Sequence, residues 1–318
     1  MTNFWKSLKK PFTVLAPMED VTDTVFRQIV AKYSKPDVFF TEFVSVDGLL
    51  SEGFEKVSTR LQFSKTEKPL IAQIWGNNPE KFYQTALMIS KMGFDGIDIN
   101  MGCPDKNVVK KGSGGALILT PNLAKEIVIA TKKGAGGLPV SVKTRIGMRS
   151  IATEEWIGFL LSLDLDALTI HGRTVKEKSK VLAHWDEIGA AVKLRDKISP
   201  KTLIIGNGDV MSYKQAQEYA KKYGVDGIMI GRGVFNNLWV FNPKIREEDI
   251  SPEMRIEALI THINLFEKTW GINKNYDILK KFFKAYISGF DGSKTLRTKL
   301  MDTKTPAEAL NILSPKKP

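Results

Sequence analysis

Eight short runs rich in β-branched and apolar residues recur through the first 233 residues, and most neighbours are far enough apart to hold a helix between them. They are TVLAPM (13–18), VFFTEF (38–43), PLIAQIWG (69–76), GIDINMG (96–102), PVSVKTRIG (139–147), ALTIHGR (167–173), TLIIGNGDV (202–210) and GIMIGRG (227–233). The runs are apolar along much of their length instead of strictly alternating, as strands of a parallel sheet covered on its outer face by helices are. Eight such βα units predict a (β/α)8 TIM barrel over an open doubly wound sheet. The C-terminal tips of the runs carry Pro17, Met18, Glu42, Gln73, Asn100, Lys143, Arg145, His171, Arg173, Asn207, Asp209 and Arg232. Polar residues gathered at one end of apolar strands describe the face of a barrel on which the βα loops build a site.

After about residue 240 the texture changes. FNPKIREEDISPEMR is polar and contains proline, which predicts a linker, and the remainder reads as helices. In DILKKFFKAYISGF the residues Leu279, Phe282, Phe283, Tyr286, Ile287 and Phe290 share one apolar face, with Lys280, Lys281 and Lys284 off it. The expected organisation is a catalytic barrel over 1–240 and a smaller, basic, all-helical domain over 241–318.

The chain of 318 residues has 47 Lys and Arg against 35 Asp and Glu, a formal net charge of +12. An excess of that size favours a polyanionic partner, nucleic acid before acidic membrane, although a solvated basic surface gives the same balance. The single cysteine, Cys103, cannot form an internal disulfide, which fits a reducing cytoplasm. No apolar run long enough to cross a membrane occurs, and the N-terminal stretch lacks the apolar segment of a secretory signal. The three histidines are scattered, with no Cys/His cluster, so no metal centre is expected.

The chemistry concentrates at the strand tips. GNGDV (206–210) and GRG (231–233) end the seventh and eighth runs, the loops that often hold a phosphate in such barrels, because glycine lets backbone N–H groups approach an anion. Arg232 adds a charge-assisted contact. Lys143 ends the fifth run, and a lysine in a barrel mouth is there for a Schiff base, for a phosphate, or to hold negative charge on a reduced flavin ring. His171, flanked by HGRT, is an orienting group or a base.

These residues carry a family resemblance. LAPMEDVTDTVFR (15–27), TEFVS (41–45), AQIWG (72–76), DGIDINMGCP (95–104), GSGGAL (112–117), VKTRIG (142–147), IHGRT (170–174), GNGDV (206–210) and GIMIGRG (227–233) follow one another as they do in the tRNA-dihydrouridine synthases, which the chain resembles. Those are FMN-dependent enzymes that reduce the C5=C6 bond of specific uridines in tRNA. The resemblance implies that Pro17 and Met18 line the flavin, that Gln73 and Lys143 hydrogen-bond its ring with His171 nearby, and that Asn207, Gly208, Asp209, Gly231 and Arg232 hold the ribityl chain and phosphate. It also implies that Asn100 and Arg145 face the uracil, and that Cys103 supplies the proton to C5 after hydride reaches C6. A thiol of pKa about 8.5 is protonated at neutral pH yet can give its proton up, which suits that role. NADPH is the implied reductant; the chain has no G-x-G-x-x-G fingerprint of its own for a nicotinamide. A uracil stacked in folded RNA must be extruded to reach such a pocket, and Lys106, Lys110 and Lys111, with the basic C-terminal segment, are expected to track the phosphates around it.

The sequence departs from the family pattern after HGRT. Glu177, Ser179, Val181 and His184 stand where the family usually has Gln, Tyr, Gly and an Asp or Asn, so Ser179 takes the place of a tyrosine that touches the target base in relatives. Asn107 stands where a basic residue is usual. Two other readings share the scaffold: an FMN barrel acting on a free pyrimidine, like a dihydroorotate dehydrogenase, and a non-catalytic tRNA-binding protein. The first gives no reason for the basic helical C-terminus. A monomer is expected.

Overall fold

The computed structural model describes residues 3–314. Its strands are β1 (Phe12–Leu15), β2 (Phe39–Phe40), β3 (Val44–Ser45), β4 (Leu70–Trp75), β5 (Gly96–Met101), β6 (Val140–Arg145), β7 (Ala167–His171), β8 (Leu203–Asn207) and β9 (Gly227–Ile230). Every pairing is parallel, in the order β1-β9-β8-β7-β6-β5-β4-β2, with β3 also on β4. A parallel bridge between Val14 and Val38 closes the ring, with Leu15 N–H donating to the Val38 carbonyl at 3.1 Å. The expected barrel is therefore present.

The second run corrects the expectation of a continuous strand over 38–43. Beyond the Val38 bridge, only Phe39–Phe40 and Val44–Ser45 pair, in two pieces around Thr41, Glu42 and Phe43. The Thr41 hydroxyl accepts the N–H of Gln73 at 3.0 Å and donates to the Glu42 carbonyl at 2.8 Å, so a side chain substitutes for the ladder at the break.

Helices follow the strands on the outside. Asp23, Asn78 and Ser212 cap the helices Thr24–Ser34, Pro79–Ile89 and Tyr213–Tyr223, each accepting a first-turn N–H. The period of two along the strands sorts the interior into layers. The lower interior is apolar: Phe12, Val14, Phe40, Ile71, Ala167, Leu203, Ile205 and Met229 pack together, with buried Trp5 joining them. Above them the inward positions turn polar, with Gln73 on β4, Asp98 and Asn100 on β5, Ser141, Lys143 and Arg145 on β6, Thr169 and His171 on β7, and Asn207 on β8. The apolar layer is a floor, and the polar layer is the base of a site.

Residues 238–241 are buried, and Phe241 N–H donates to Ser34 Oγ at 2.8 Å, tying the chain to the barrel before the exposed stretch 243–249. Four helices follow, Pro252–Trp270, Asp277–Tyr286, Ser293–Asp302 and Pro306–Leu313. The expected apolar face is buried at Leu279, Phe282, Phe283, Tyr286 and Ile287, while Phe290 is only half-buried. Phe282 stacks on Phe26 of the helix after β1, with ring centroids 4.8 Å apart. The lysines are less free than a solvated face suggests: Lys280 pairs with Asp277 at 2.7 Å, and Lys281 donates to the Asp20 carbonyl in the loop after β1. Lys284 is exposed.

Candidate active site

At the C-terminal end of the barrel lies a cavity of about 470 Å³, a size typical of small-molecule and cofactor sites. Pro17, Met18, Asn100, Cys103, Lys143, Arg145, His171, Ser179, Asn207, Gly208, Asp209, Gly231 and Arg232 line it. Strand register explains the convergence: Asn100 pairs with Lys143, Arg145 with His171, and His171 with Asn207 on successive neighbouring strands.

The thiol stands on the loop after β5. Asn100 Oδ1 accepts the N–H groups of Gly102 (3.1 Å) and Cys103 (2.9 Å), folding the turn back on the strand end. Arg145 braces it from β6, donating from Nε to the Gly102 carbonyl at 2.9 Å and from Nη1 to the carbonyls of Thr174 and Lys178, both at 3.0 Å. The segment GSGGAL packs under the same loop. Gly115 N–H donates to the Cys103 carbonyl at 3.1 Å, and a Cβ on Gly115 would lie 2.5 Å from a methyl of Val175 and 3.1 Å from that carbonyl. Burial is the first cause that pushes the Cys103 pKa up, so the sulfur is held as a neutral thiol, half-exposed to the cavity.

From β6 round to β9, charges are chained. Arg173, almost wholly buried, ion-pairs with Asp209, donates to the Val181 carbonyl at 2.7 Å, and places Nη1 3.0 Å from His171 Nε2. Asp209 also binds Arg232 at 3.0 Å and accepts the Ala183 N–H at 2.9 Å; burial works against its charge, but Arg173 first, then Ala183 and Arg232, hold the carboxyl below the usual range. Burial, with the neighbouring arginines and Lys143 adding to it, drives His171 well below its usual pKa. The imidazole is neutral; its Nε2 accepts from Arg173, and Nδ1 carries the proton. Lys143 makes one hydrogen bond, to Asn207 Oδ1 at 3.2 Å. Burial and the nearby Arg145 lower its pKa to about 8, partly offset by Asp98. Asn207 is fixed in turn by donating to the Met229 carbonyl at 2.8 Å. Gly208 has φ +134°, and a Cβ there would lie 2.6 Å from Ala183, so the close turn beneath Asp209 requires glycine.

Four expected residues do not line the cavity. Gln73, expected against a cofactor ring, is fully buried below it. Its Nε2 donates to Asp98 Oδ2 at 2.7 Å and its Oε1 accepts from Asn100 Nδ2 at 3.1 Å, so both ends of the amide are occupied. Lys110 and Lys111, expected on RNA phosphates, are exposed at the end of the helix Lys106–Lys110 and outside the cavity lining, with Lys111 over the Trp75 ring at 6.0 Å. Lys106 instead edges a second groove, shared with Pro104, Arg149, Lys176 and Lys178, which adjoins the cavity through Pro104 and Lys178. Asn100 and Arg145 line the cavity but spend much of their hydrogen-bonding capacity on the loops.

Some lining residues lay outside the expected set. Arg173 and Lys178 are the main ones. Arg173 was legible: it follows His171 by two and sits in HGRT at a strand tip. Lys178 was not, because only the loop's path, with Lys178 at φ +53°, brings it to the rim. The departures from the family pattern also explain one another. Glu177 Oε1 lies 3.1 Å from His184 Nε2, and its other oxygen accepts the Thr174 N–H at 2.7 Å, so two unusual residues lock one loop. Ser179 is exposed at the rim of the cavity.

The helical segment meets the site at the loop after β1. Lys274 binds Asp23 at 2.7 Å, and Trp270 Nε1 donates to the same carboxylate at 3.1 Å. Nearby Glu42 is buried, its pKa raised to about 7 by burial first and by Asp23 second, against the pull of Lys274 and Arg60. Among the described residues no cluster of three or more His, Cys, Asp or Glu side chains could hold a metal, and no helix is long and apolar enough to cross a membrane.

A family model described as dihydrouridine synthase matches residues 14–317. A probable tRNA-dihydrouridine synthase of Staphylococcus aureus (strain COL) is 49% identical over 314 residues, which cover 98% of this chain and 94% of the relative. The probable tRNA-dihydrouridine synthase 2 of Bacillus subtilis (strain 168) is 44% identical over 314 residues, 98% and 95% of the two chains. Among solved structures, morphinone reductase in complex with tetrahydroNAD aligns with a TM-score of 0.51 at 12% identity, covering 79% of this chain and 92% of that one. A variant of NCR from Zymomonas mobilis aligns with a TM-score of 0.51 at 17% identity, covering 80% and 95%. Those two share the barrel fold. The match over nearly the whole chain, including the helical segment, and the near-half identity to two such relatives show that this chain belongs to the dihydrouridine synthase family.

Proposed function

We propose that the protein is an FMN-dependent tRNA-dihydrouridine synthase that reduces the C5=C6 bond of uridines in tRNA, with NADPH as the reductant. The observation that carries this is the neutral thiol of Cys103 in a cavity also lined by Lys143, neutral His171 and Asn207 from the neighbouring strands, in a chain of this family.

The cavity's donors suit FMN. Lys143 uses one of three N–H donors on Asn207 and keeps the others for the electron-rich edge of a flavin ring, and His171 Nδ1–H can donate beside it. Arg232 is 60% exposed at the rim, with Gly231 beside it in the cavity lining, which suits a phosphate and its ribityl chain. FMN bound there would supply the two-electron reduction of the pyrimidine. The residues of the chain do the rest. Cys103 holds the proton destined for C5, and burial keeps it on sulfur at neutral pH. Arg145 and Asn100 hold the loop that carries the thiol, and Arg173 keeps His171 in one tautomer.

RNA binding is part of the proposal. Lys106, Arg149, Lys176 and Lys178 ring the groove beside the thiol loop, and among the described residues none of them is in an ion pair, which leaves them to phosphodiesters flanking an extruded base. The segment 241–318 is proposed as the RNA-binding domain, docked on the loop after β1 through Lys274 and Lys281.

The test is direct. The purified protein is expected to be yellow, to release FMN on denaturation, and to form dihydrouridine in unmodified tRNA with NADPH. Cys103→Ala is expected to retain flavin and lose uridine reduction. A protein that takes up no FMN overturns the proposal, and an active Cys103→Ala variant overturns the acid.

A further inference from the structure

Below the thiol loop runs a buried line of hydrogen bonds that the proposed chemistry uses only at its last link, Asn100. It begins at Asp98, fully buried on β5, whose Oδ1 accepts from Ser141 Oγ at 2.6 Å and whose Oδ2 accepts from Gln73 Nε2 at 2.7 Å. It continues from Asn100 Nδ2 to Gln73 Oε1 at 3.1 Å, and ends where Asn100 Oδ1 accepts the N–H groups of Gly102 and Cys103. An amide side chain can face either way, and its direction is set by what it meets. A carboxylate can only accept. Gln73 must therefore present its NH2 to Asp98 and its oxygen to Asn100. Asn100 must then present its NH2 to Gln73 and its oxygen to the turn. Reversal at the acid would propagate through both amides and set an NH2 against the two N–H donors of the Cys103 turn.

We propose that Asp98 is a positioning residue for the Cys103 thiol: its carboxylate sets the direction of the Gln73–Asn100 relay, and the relay holds the turn that carries the sulfur. The carboxyl ionises at about 6, raised by burial and pulled back by Ser141, Gln73 and Lys143, so it is an acceptor at neutral pH. As a role within the proposed reduction this rests on that reading, but the relay itself is testable without turnover.

Cys103 is the only cysteine, so alkylation by iodoacetamide reports this site alone. In Asp98→Ala, with the turn released and the sulfur less shielded, the alkylation rate at pH 8 is expected to rise by about threefold or more. Gln73→Leu cuts the line one link further on without touching the acid and is expected to give the same change. The double variant is expected to change no more than either single, as links of one chain do. Unchanged alkylation in both folded single variants, or additive effects in the double, overturns the proposal. If Asp98→Ala does not fold, unchanged alkylation in folded Gln73→Leu is sufficient to overturn it. In turnover, Asp98→Ala is expected to lose about tenfold to a hundredfold in kcat with KM for tRNA within about twofold. A wild-type protein that forms no dihydrouridine refutes the function, whereas the alkylation series decides the relay in either case.

Discussion

Glu42→Gln tests how the buried acid at the junction of barrel and helices is tuned. Glu42 sits in the break between β2 and β3, is 3% exposed, and has no hydrogen-bond donor to its carboxyl among the described residues. Asp23, Lys274, Arg60 and Glu19 surround it electrostatically. Its pKa is about 7 in the fold against an ordinary 4.5. Because the folded value is the higher, the unfolded chain releases this proton first as pH rises. The carboxyl is neutral in both states below pH 4.5 and costs nothing there. Between about 4.5 and 7 it costs progressively more stability, and above 7 the cost levels off. At about 1.4 kcal/mol per pH unit of difference the plateau is about 3 kcal/mol. Glutamine keeps the shape and cannot ionise. Urea unfolding of both proteins from pH 5 to 8.5 is expected to show Glu42→Gln gaining about 2 kcal/mol relative to wild type across that range. A pH-independent difference, or a variant that loses ground as pH rises, would refute the reasoning.

Three further perturbations follow from the same physics. Arg27 and Glu67 form a fully buried pair at 2.6 Å, and Arg27 also holds the carbonyls of Thr22 and Gln62, so Arg27→Met leaves the buried carboxylate without its counter-charge and is expected to cost about 3–5 kcal/mol by urea unfolding; a loss below about 1 kcal/mol contradicts this. Lys143, with a pKa lowered to about 8, sheds its charge as pH rises through that value, so FMN affinity of the apoprotein is expected to fall between pH 7 and 9 in wild type and stay flat in Lys143→Met; parallel profiles would remove Lys143 from the flavin contacts. In Gly115→Ala the new methyl meets Val175 and the Cys103 carbonyl, which is expected to cost about 1–3 kcal/mol and to alter Cys103 alkylation; an unperturbed rate shows that the loop does not rest on this glycine.

The barrel was readable because strands and helices have different periods and polar tips break the apolar runs at one end only. Lys143, His171, Asn207 and Cys103 were readable for the same reason: each lies at or just beyond such a tip, where nothing in a core calls for it. Gln73 shows where that logic stops. It too lies on an inward position, but one layer lower, and depth along a tilted strand is a property of barrel stagger, not of local sequence. Asp98 was passed over inside an apolar run, because its partners Gln73 and Ser141 belong to strands 25 and 43 residues away.

The amino-acid sequence by itself determined the barrel, the helical extension, the positive charge and the set of residues at the catalytic end, since all of these follow from local pattern and composition. Tertiary structure alone decided which of those residues face the cavity and which support it. It turned Arg145 and Asn100 toward the thiol loop, left Lys110 and Lys111 outside the cavity lining, and paired Glu177 with His184 across a loop whose departures looked unrelated. Hydrogen-bond direction and burial depend on groups far apart in the chain, and they become definite only when the strands lie side by side.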